Sequence, residues 1–120
     1  LMPARPDILG ARCSNTLDDV LPELDVVYML RIQKERLESA ALPTLREYAM
    51  LYGINLARMD AMKDEAIIMH PGPINRGVEL SADAADSDRA VILDQVNSGV
   101  AVRMAVMYLL LGGEGNGAAA

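Results

Sequence analysis

Two short stretches carry the groups best suited to chemistry. The first, Arg31-Ile32-Gln33-Lys34-Glu35-Arg36, turns abruptly charged after the apolar run Val26-Val27-Tyr28-Met29-Leu30. An arginine fixed at the end of a buried element presents a planar fork of donors to a carboxylate or phosphate, and Gln33, two residues on, adds an amide donor to the same anion. The same residues also read as a solvated loop whose surface ion pair contributes little. The second stretch, His70-Pro71-Gly72-Pro73-Ile74-Asn75-Arg76-Gly77, follows Ala66-Ile67-Ile68-Met69. Two prolines and a glycine between Pro71 and Asn75 exclude regular structure, because proline lacks an N–H and fixes φ. Such a backbone holds its carbonyls in set directions, and Gly72 lets a ligand approach the main chain closely. Those carbonyls suit the N–H groups of an amide or amine. The plainer reading is a rigid turn with His70 as a hydrogen-bonded core histidine, and for His70 that reading is preferred over a catalytic base.

The flanking elements decide where these loops lie. Thr16-Leu17-Asp18-Asp19 has capping-box spacing, and Leu17, Val20, Leu21 and Leu24 follow at helical intervals, so a helix over 17–24 is expected, kept brief by Pro22. Val26 to Leu30 lacks alternation and reads as a central parallel strand covered on both faces. Pro43 at a first helical position, then Leu45, Tyr48, Ala49, Leu51 and Tyr52, closed by Gly53, give a helix. Asn55 caps another with Leu56, Met59 and Met62, and Ala66 to Met69 forms a second buried strand ending at His70. Ser87 or Asp88 opens the longest helix, about 88–111, with Ile92, Val96, Val100, Met104, Met107 and Leu111 at three- and four-residue steps until Gly112 and Gly113. The Gly/Ala-rich residues 112–120 are expected to be mobile. Alternating strands and helices predict an α/β fold, a parallel sheet flanked by helices on both faces and ending in a long C-terminal helix. Ligands of such sheets bind beyond the carboxyl ends of the strands, so both loops face one crevice.

Composition narrows the function. The 120 residues are 52% hydrophobic, enough for one core, and the net charge of −6 offers no cationic field for phosphate backbones or anionic lipid. Nucleic acid and membrane are therefore not expected partners. Four tyrosines, with no Phe or Trp, leave no base-stacking platform. One cysteine and one histidine provide no zinc set and no internal disulfide, and a reducing, cytoplasmic setting fits. Cys13 reads as a passive thiol. No signal peptide is recognisable at Leu1-Met2-Pro3-Ala4-Arg5-Pro6, and Val100 to Leu111, interrupted by Arg103, falls short of the roughly 18 to 20 apolar residues a membrane span needs. Gly112-Gly113-Glu114-Gly115 follows a helix and is no dinucleotide fingerprint. Met59, Met62, Met104 and Met107 at helical spacing read as core filler. No cofactor and no metal are expected.

Taken together, Tyr28 to Arg36, His70 to Glu79 and Asp94-Gln95-Val96-Asn97-Ser98-Gly99-Val100-Ala101-Val102-Arg103-Met104-Ala105 resemble, in order, the catalytic chains of the aspartate carbamoyltransferase family. The related ornithine enzymes carry a cysteine after the histidine, where Pro71 stands here. The resemblance implies a Rossmann-type aspartate-binding half over residues 1–111, with the amino-terminal domain that binds carbamoyl phosphate not represented. It implies transfer of the carbamoyl group of carbamoyl phosphate to L-aspartate in pyrimidine synthesis, by a homotrimer with active sites at subunit boundaries. Arg31 and Gln33 would hold L-aspartate. The Gly72 and Pro73 carbonyls would orient carbamoyl phosphate's carbamoyl group and the attacking amine, across a cis Gly72–Pro73 bond. No residue of this chain is assigned as catalytic, and a regulatory chain or a dihydroorotase-like partner is left open. The part alone is expected to be inactive and to expose Val96, Val100, Met104 and Met107, which in this family pack on the amino-terminal domain. The competing expectations are a non-catalytic α/β module that binds a small dicarboxylate through Arg31 and Gln33, and an assembly subunit using its last helix.

Overall fold

Val26–Tyr28 (β1) and Ile67–Met69 (β2) pair as parallel strands, with Val26 opposite Ile67, Val27 opposite Ile68 and Tyr28 opposite Met69. A computed structural model of the chain describes residues 10–32 and 44–111. Parallel strands require a crossover, and two helices, Leu45–Tyr52 (α1) and Leu56–Ala61 (α2), lie between them in the chain. After β2 come a four-residue helix, Ala82–Ala85 (α3), and the twenty-residue Ile92–Leu111 (α4). The fold is α/β, as expected.

Val27 and Ile68 share one sheet face and join Leu21, Ile54, Met59 and Leu80 in the buried core. On the opposite face α4 meets the Tyr28–Met69 corner, where Gln95 Nε2 donates to Tyr28 Oη at 2.7 Å. The expectation of full cover on both faces is corrected here: Val26, Tyr28 and Leu30 are about half exposed or more. Apolar patterning shows what a strand is suited to, while cover depends on what packs there.

The caps explain several boundaries. Thr44 Oγ1 accepts from Glu47 N at 3.0 Å to open α1, and Asn55 Oδ1 accepts from Arg58 N at 3.0 Å to open α2. The first helix thus begins after Thr44; Pro43, expected at a first helical position, lies outside the described residues. Gly53 closes α1 in an extended conformation, φ −71°. Its requirement is close approach, since a Cβ there would stand 2.5 Å from Val78 O and 2.6 Å from Ala49 O.

The expected helix over 17–24 is reduced to a 3-10 turn at Leu21–Glu23. Pro22 cannot donate within a helix, and Thr16 Oγ1 donates to Asp19 Oδ2 at 2.6 Å instead of capping a backbone amide. The long helix starts at Ile92, not at 88, because the preceding residues run beside β2: Ile68 N donates to Arg89 O and Val91 N to Ile68 O. Ser87 Oγ is occupied with Ala84 O, at the end of α3. That short helix, capped by Ser81, was not expected.

Two arginines close helix ends from inside. Arg58 donates to the α1 carbonyls of Met50 and Leu51 and to Gly53 O, and forks to Asp18 at 2.6 and 3.0 Å. Arg89 donates to Met59 O, Lys63 O and Ala66 O around the end of α2. At about 1.5 Å per residue α4 extends some 30 Å, yet only Ile92 of it is buried, and Val96, Val100, Met104 and Met107 are 45%, 53%, 67% and 59% exposed. Residues 112–120 lie outside the described part.

Candidate functional site

The pairing of Tyr28 with Met69 sets the two loops level with each other. Arg31 lies three residues beyond Tyr28 and Gly72 three beyond Met69, both past the carboxyl ends of parallel strands. Met29 N donates to Met69 O at 2.8 Å, extending the ladder to the loops' roots. Above it, Asn75 Nδ2 donates to Ile32 O at 3.2 Å and joins one loop to the other. Ile32 is buried and Arg31 half-buried, so the guanidinium leaves from an anchored backbone. Gln33 lies outside the described residues.

The second loop is irregular, as its prolines require, and has the cis bond that the family resemblance implies. The Gly72–Pro73 peptide is cis, and Gly72 has φ +68°, a region that side chains disfavour. A Cβ at Gly72 would meet nothing within 4 Å, so the loop crest faces open space. Exposed Pro71 and Pro73 flank it. Acceptor carbonyls on a restricted backbone thus share one strand edge with the half-buried Arg31.

Beneath the crest is a buried polar pair. His70 and Glu79 are both 0% exposed, with His70 Nε2 3.4 Å from Glu79 Oε1. His70 Nδ1 accepts the Gly72 N–H at 2.9 Å, and His70 N donates to Gln95 Oε1 at 3.0 Å. Glu79 Oε1 accepts from Asn75 N at 2.5 Å. Burial pushes the His70 imidazole below its usual pKa against the opposing pull of Glu79, which favours the neutral ring that Nδ1 needs to accept. His70 is thus a core histidine, as preferred from sequence. Glu79, Gln95 and Tyr28 had not been singled out: the sequence shows an acid between Val78 and Leu80 and a glutamine on a helix, and neither signals burial beside a loop.

Residues 10–110 match the family model of the aspartate/ornithine carbamoyltransferase Asp/Orn binding domain. The chain belongs to the aspartate/ornithine carbamoyltransferase family. It is 54% identical over 113 residues to the aspartate carbamoyltransferase catalytic subunit of Nocardioides sp., covering 94% of this chain and 35% of that protein. With the corresponding subunit of Syntrophotalea carbinolica it shares 54% over 114 residues, 95% of this chain and 36% of the relative. The chain therefore spans about a third of the length of these relatives. Among solved structures, aspartate transcarbamoylase from Trypanosoma cruzi with carbamoyl aspartate and phosphate superposes with a TM-score of 0.63 at 40% identity, covering 76% of this chain and 27% of that one. Ornithine carbamoyltransferase from Pyrococcus furiosus gives a TM-score of 0.66 at 25% identity, covering 80% and 30%. Among the described residues no three His, Cys, Asp or Glu side chains gather as a metal site, and no helix is long and apolar enough to cross a membrane.

Proposed function

We propose that this chain is the aspartate-binding part of an aspartate carbamoyltransferase, which joins L-aspartate to carbamoyl phosphate and releases phosphate and N-carbamoyl-L-aspartate for pyrimidine synthesis. The observation that carries the reading is the placement of an anchored Arg31 and the Pro71–Asn75 loop at one strand edge, the two loops being tied by Asn75. Aspartate is favoured over ornithine because the amine substrate needs a cationic partner for its side-chain carboxylate, which Arg31 provides. The 54% identity to aspartate enzymes supports the same choice.

In this reading Arg31 forks onto an aspartate carboxylate, with Gln33 assisting, and the Gly72 and Pro73 carbonyls accept hydrogen bonds from the carbamoyl NH2 and the attacking amine. The amine nitrogen attacks the carbamoyl carbon, charge gathers on the carbamoyl oxygen, and the carbon–oxygen bond to phosphate breaks with the electron pair leaving on phosphate. The nitrogen then loses its proton. What this chain contributes is position, which is a large share of such a reaction. Groups that bind phosphate and polarise the carbamoyl oxygen belong to the rest of the longer protein, on which the exposed face of α4 packs. A cytoplasmic homotrimer completes the reading, and residues 1–111 by themselves do not turn over.

The test is Arg31→Ala in the intact protein, assayed for carbamoyl aspartate. Removing one partner of a desolvated charge pair costs about 2 to 5 kcal/mol, so kcat/KM for aspartate should fall roughly 30-fold to a few thousand-fold. Arg31→Lys should restore little, because an ammonium does not fork. Unchanged aspartate dependence in Arg31→Ala would remove the assignment.

A further inference from the structure

His70 and Glu79 are fully buried, yet His70 Nε2 and Glu79 Oε2 have no hydrogen-bond partner among the described residues. A buried polar pair short of partners is less stable than an apolar pair of the same shape. The other ring nitrogen of His70 and the other carboxylate oxygen of Glu79 each hold a backbone N–H of the loop. His70 Nδ1 accepts the Gly72 N–H, Glu79 Oε1 accepts the Asn75 N–H, and Asn75 Nδ2 donates to Ile32 O beside Arg31. From below, Gln95 accepts the His70 N–H and donates to Tyr28 Oη, fixing the base of the loop to both strands.

We infer that His70 is a positioning residue for carbamoyl transfer: by accepting the Gly72 N–H at Nδ1 it fixes the Pro71–Gly72 peptide unit, and through Gly72 the direction of the Gly72 and Pro73 carbonyls that follow, relative to Arg31, while Glu79 anchors the far end of the same loop. The inference rests on the carbamoyl-transfer reading above and deepens it. The geometry is that of an Asx turn, a side-chain acceptor bonded to the backbone N–H two residues on, with imidazole in place of a carboxamide. An acceptor on Nδ1 places the proton on Nε2, the nitrogen that faces the Glu79 carboxylate, so the pair also selects the tautomer. Without this bond the Gly72 amide has no other partner among the described residues, and the peptide beyond it loses its fixed direction.

The analogy supplies the experiment. Asn places an acceptor oxygen where Nδ1 lies, whereas Gln carries its amide one carbon too far and corresponds to Nε2. In the intact protein, His70→Asn should keep kcat within about threefold of the wild type, and His70→Gln should lower it roughly 100-fold, the effect of a misplaced reacting group. The KM for aspartate, governed by Arg31, should change less than about threefold in both. A packing role alone would instead lower the melting temperature of both variants and leave kcat per folded site unchanged. Equal losses in the two variants, or a loss confined to KM, overturn the inference while leaving the functional reading intact. A wild-type protein that forms no carbamoyl aspartate overturns both. Should His70→Gln fail to fold, residue-resolved hydrogen exchange on the wild type decides: Gly72 should exchange at least about tenfold more slowly than an unbonded loop amide, and rapid exchange overturns the inference.

Discussion

Replacing Gly53 with alanine tests whether α1 and the loop-bearing segment are held as tightly as the structure shows. The new Cβ would stand 2.5 Å from Val78 O and 2.6 Å from Ala49 O, when contacts under 3.0 Å are essentially never seen. Both neighbours are backbone, so neither can swing away as a side chain would. Relief requires the end of α1 and the Val78–Leu80 segment to part by about 0.5 Å or more, which stretches the 3.0 Å bond from Ile54 N to Glu79 O and the 2.9 Å bond from Ser81 N to Ile54 O. Overpacking of this kind costs about 1 to 3 kcal/mol, and weakening one such hydrogen bond adds about 1 kcal/mol. We expect a loss of about 2 to 4 kcal/mol, or roughly 6 to 12 °C in Tm at about 3 °C per kcal/mol. Calorimetry of the intact protein measures it. A Gly53→Ala protein melting within about 2 °C of the wild type would refute the reasoning.

Arg89→Met keeps the length of the side chain but removes its bonds to Met59 O, Lys63 O and Ala66 O, and should lower stability by about 2 to 4 kcal/mol, read as a urea midpoint. Arg89→Lys should recover little of that loss, and a change under about 1 kcal/mol in Arg89→Met would refute the role. For pH, burial holds His70 below the ordinary imidazole value of 6.5, with Glu79 the titratable group facing it. The unfolded chain therefore takes up the proton first, so stability should fall as pH drops through 6.5 and level off below the folded-state pKa. His70→Asn should flatten that limb, and a wild type that gains stability on acidification from about pH 7 to about 5.5 would contradict the sign. Asp18 and Asp86, both held below 3.8 by their arginine partners, add losses only at more acid pH.

Much of this protein is local in origin and therefore readable in order along the chain. The two apolar runs became β1 and β2, Asn55 capped α2, and the proline–glycine stretch became the irregular loop after β2, because each depends on neighbours within a few residues. Arg31 and Gly72 could be placed at one edge from topology alone, since parallel strands send their carboxyl ends the same way. The tertiary structure decided what distant residues do to one another. It fixed the register that sets Tyr28 beside Met69, and it used Arg89 to Val91 beside β2 where local pattern suggested helix. Gly53 proved necessary for the approach of Val78, not for a turn of its own. It also brought Glu79 and Gln95 to His70, across 9 and 25 positions of sequence. Periodicity reports which face of an element is apolar. Only packing determines which polar group is buried, and which neighbour must then satisfy it.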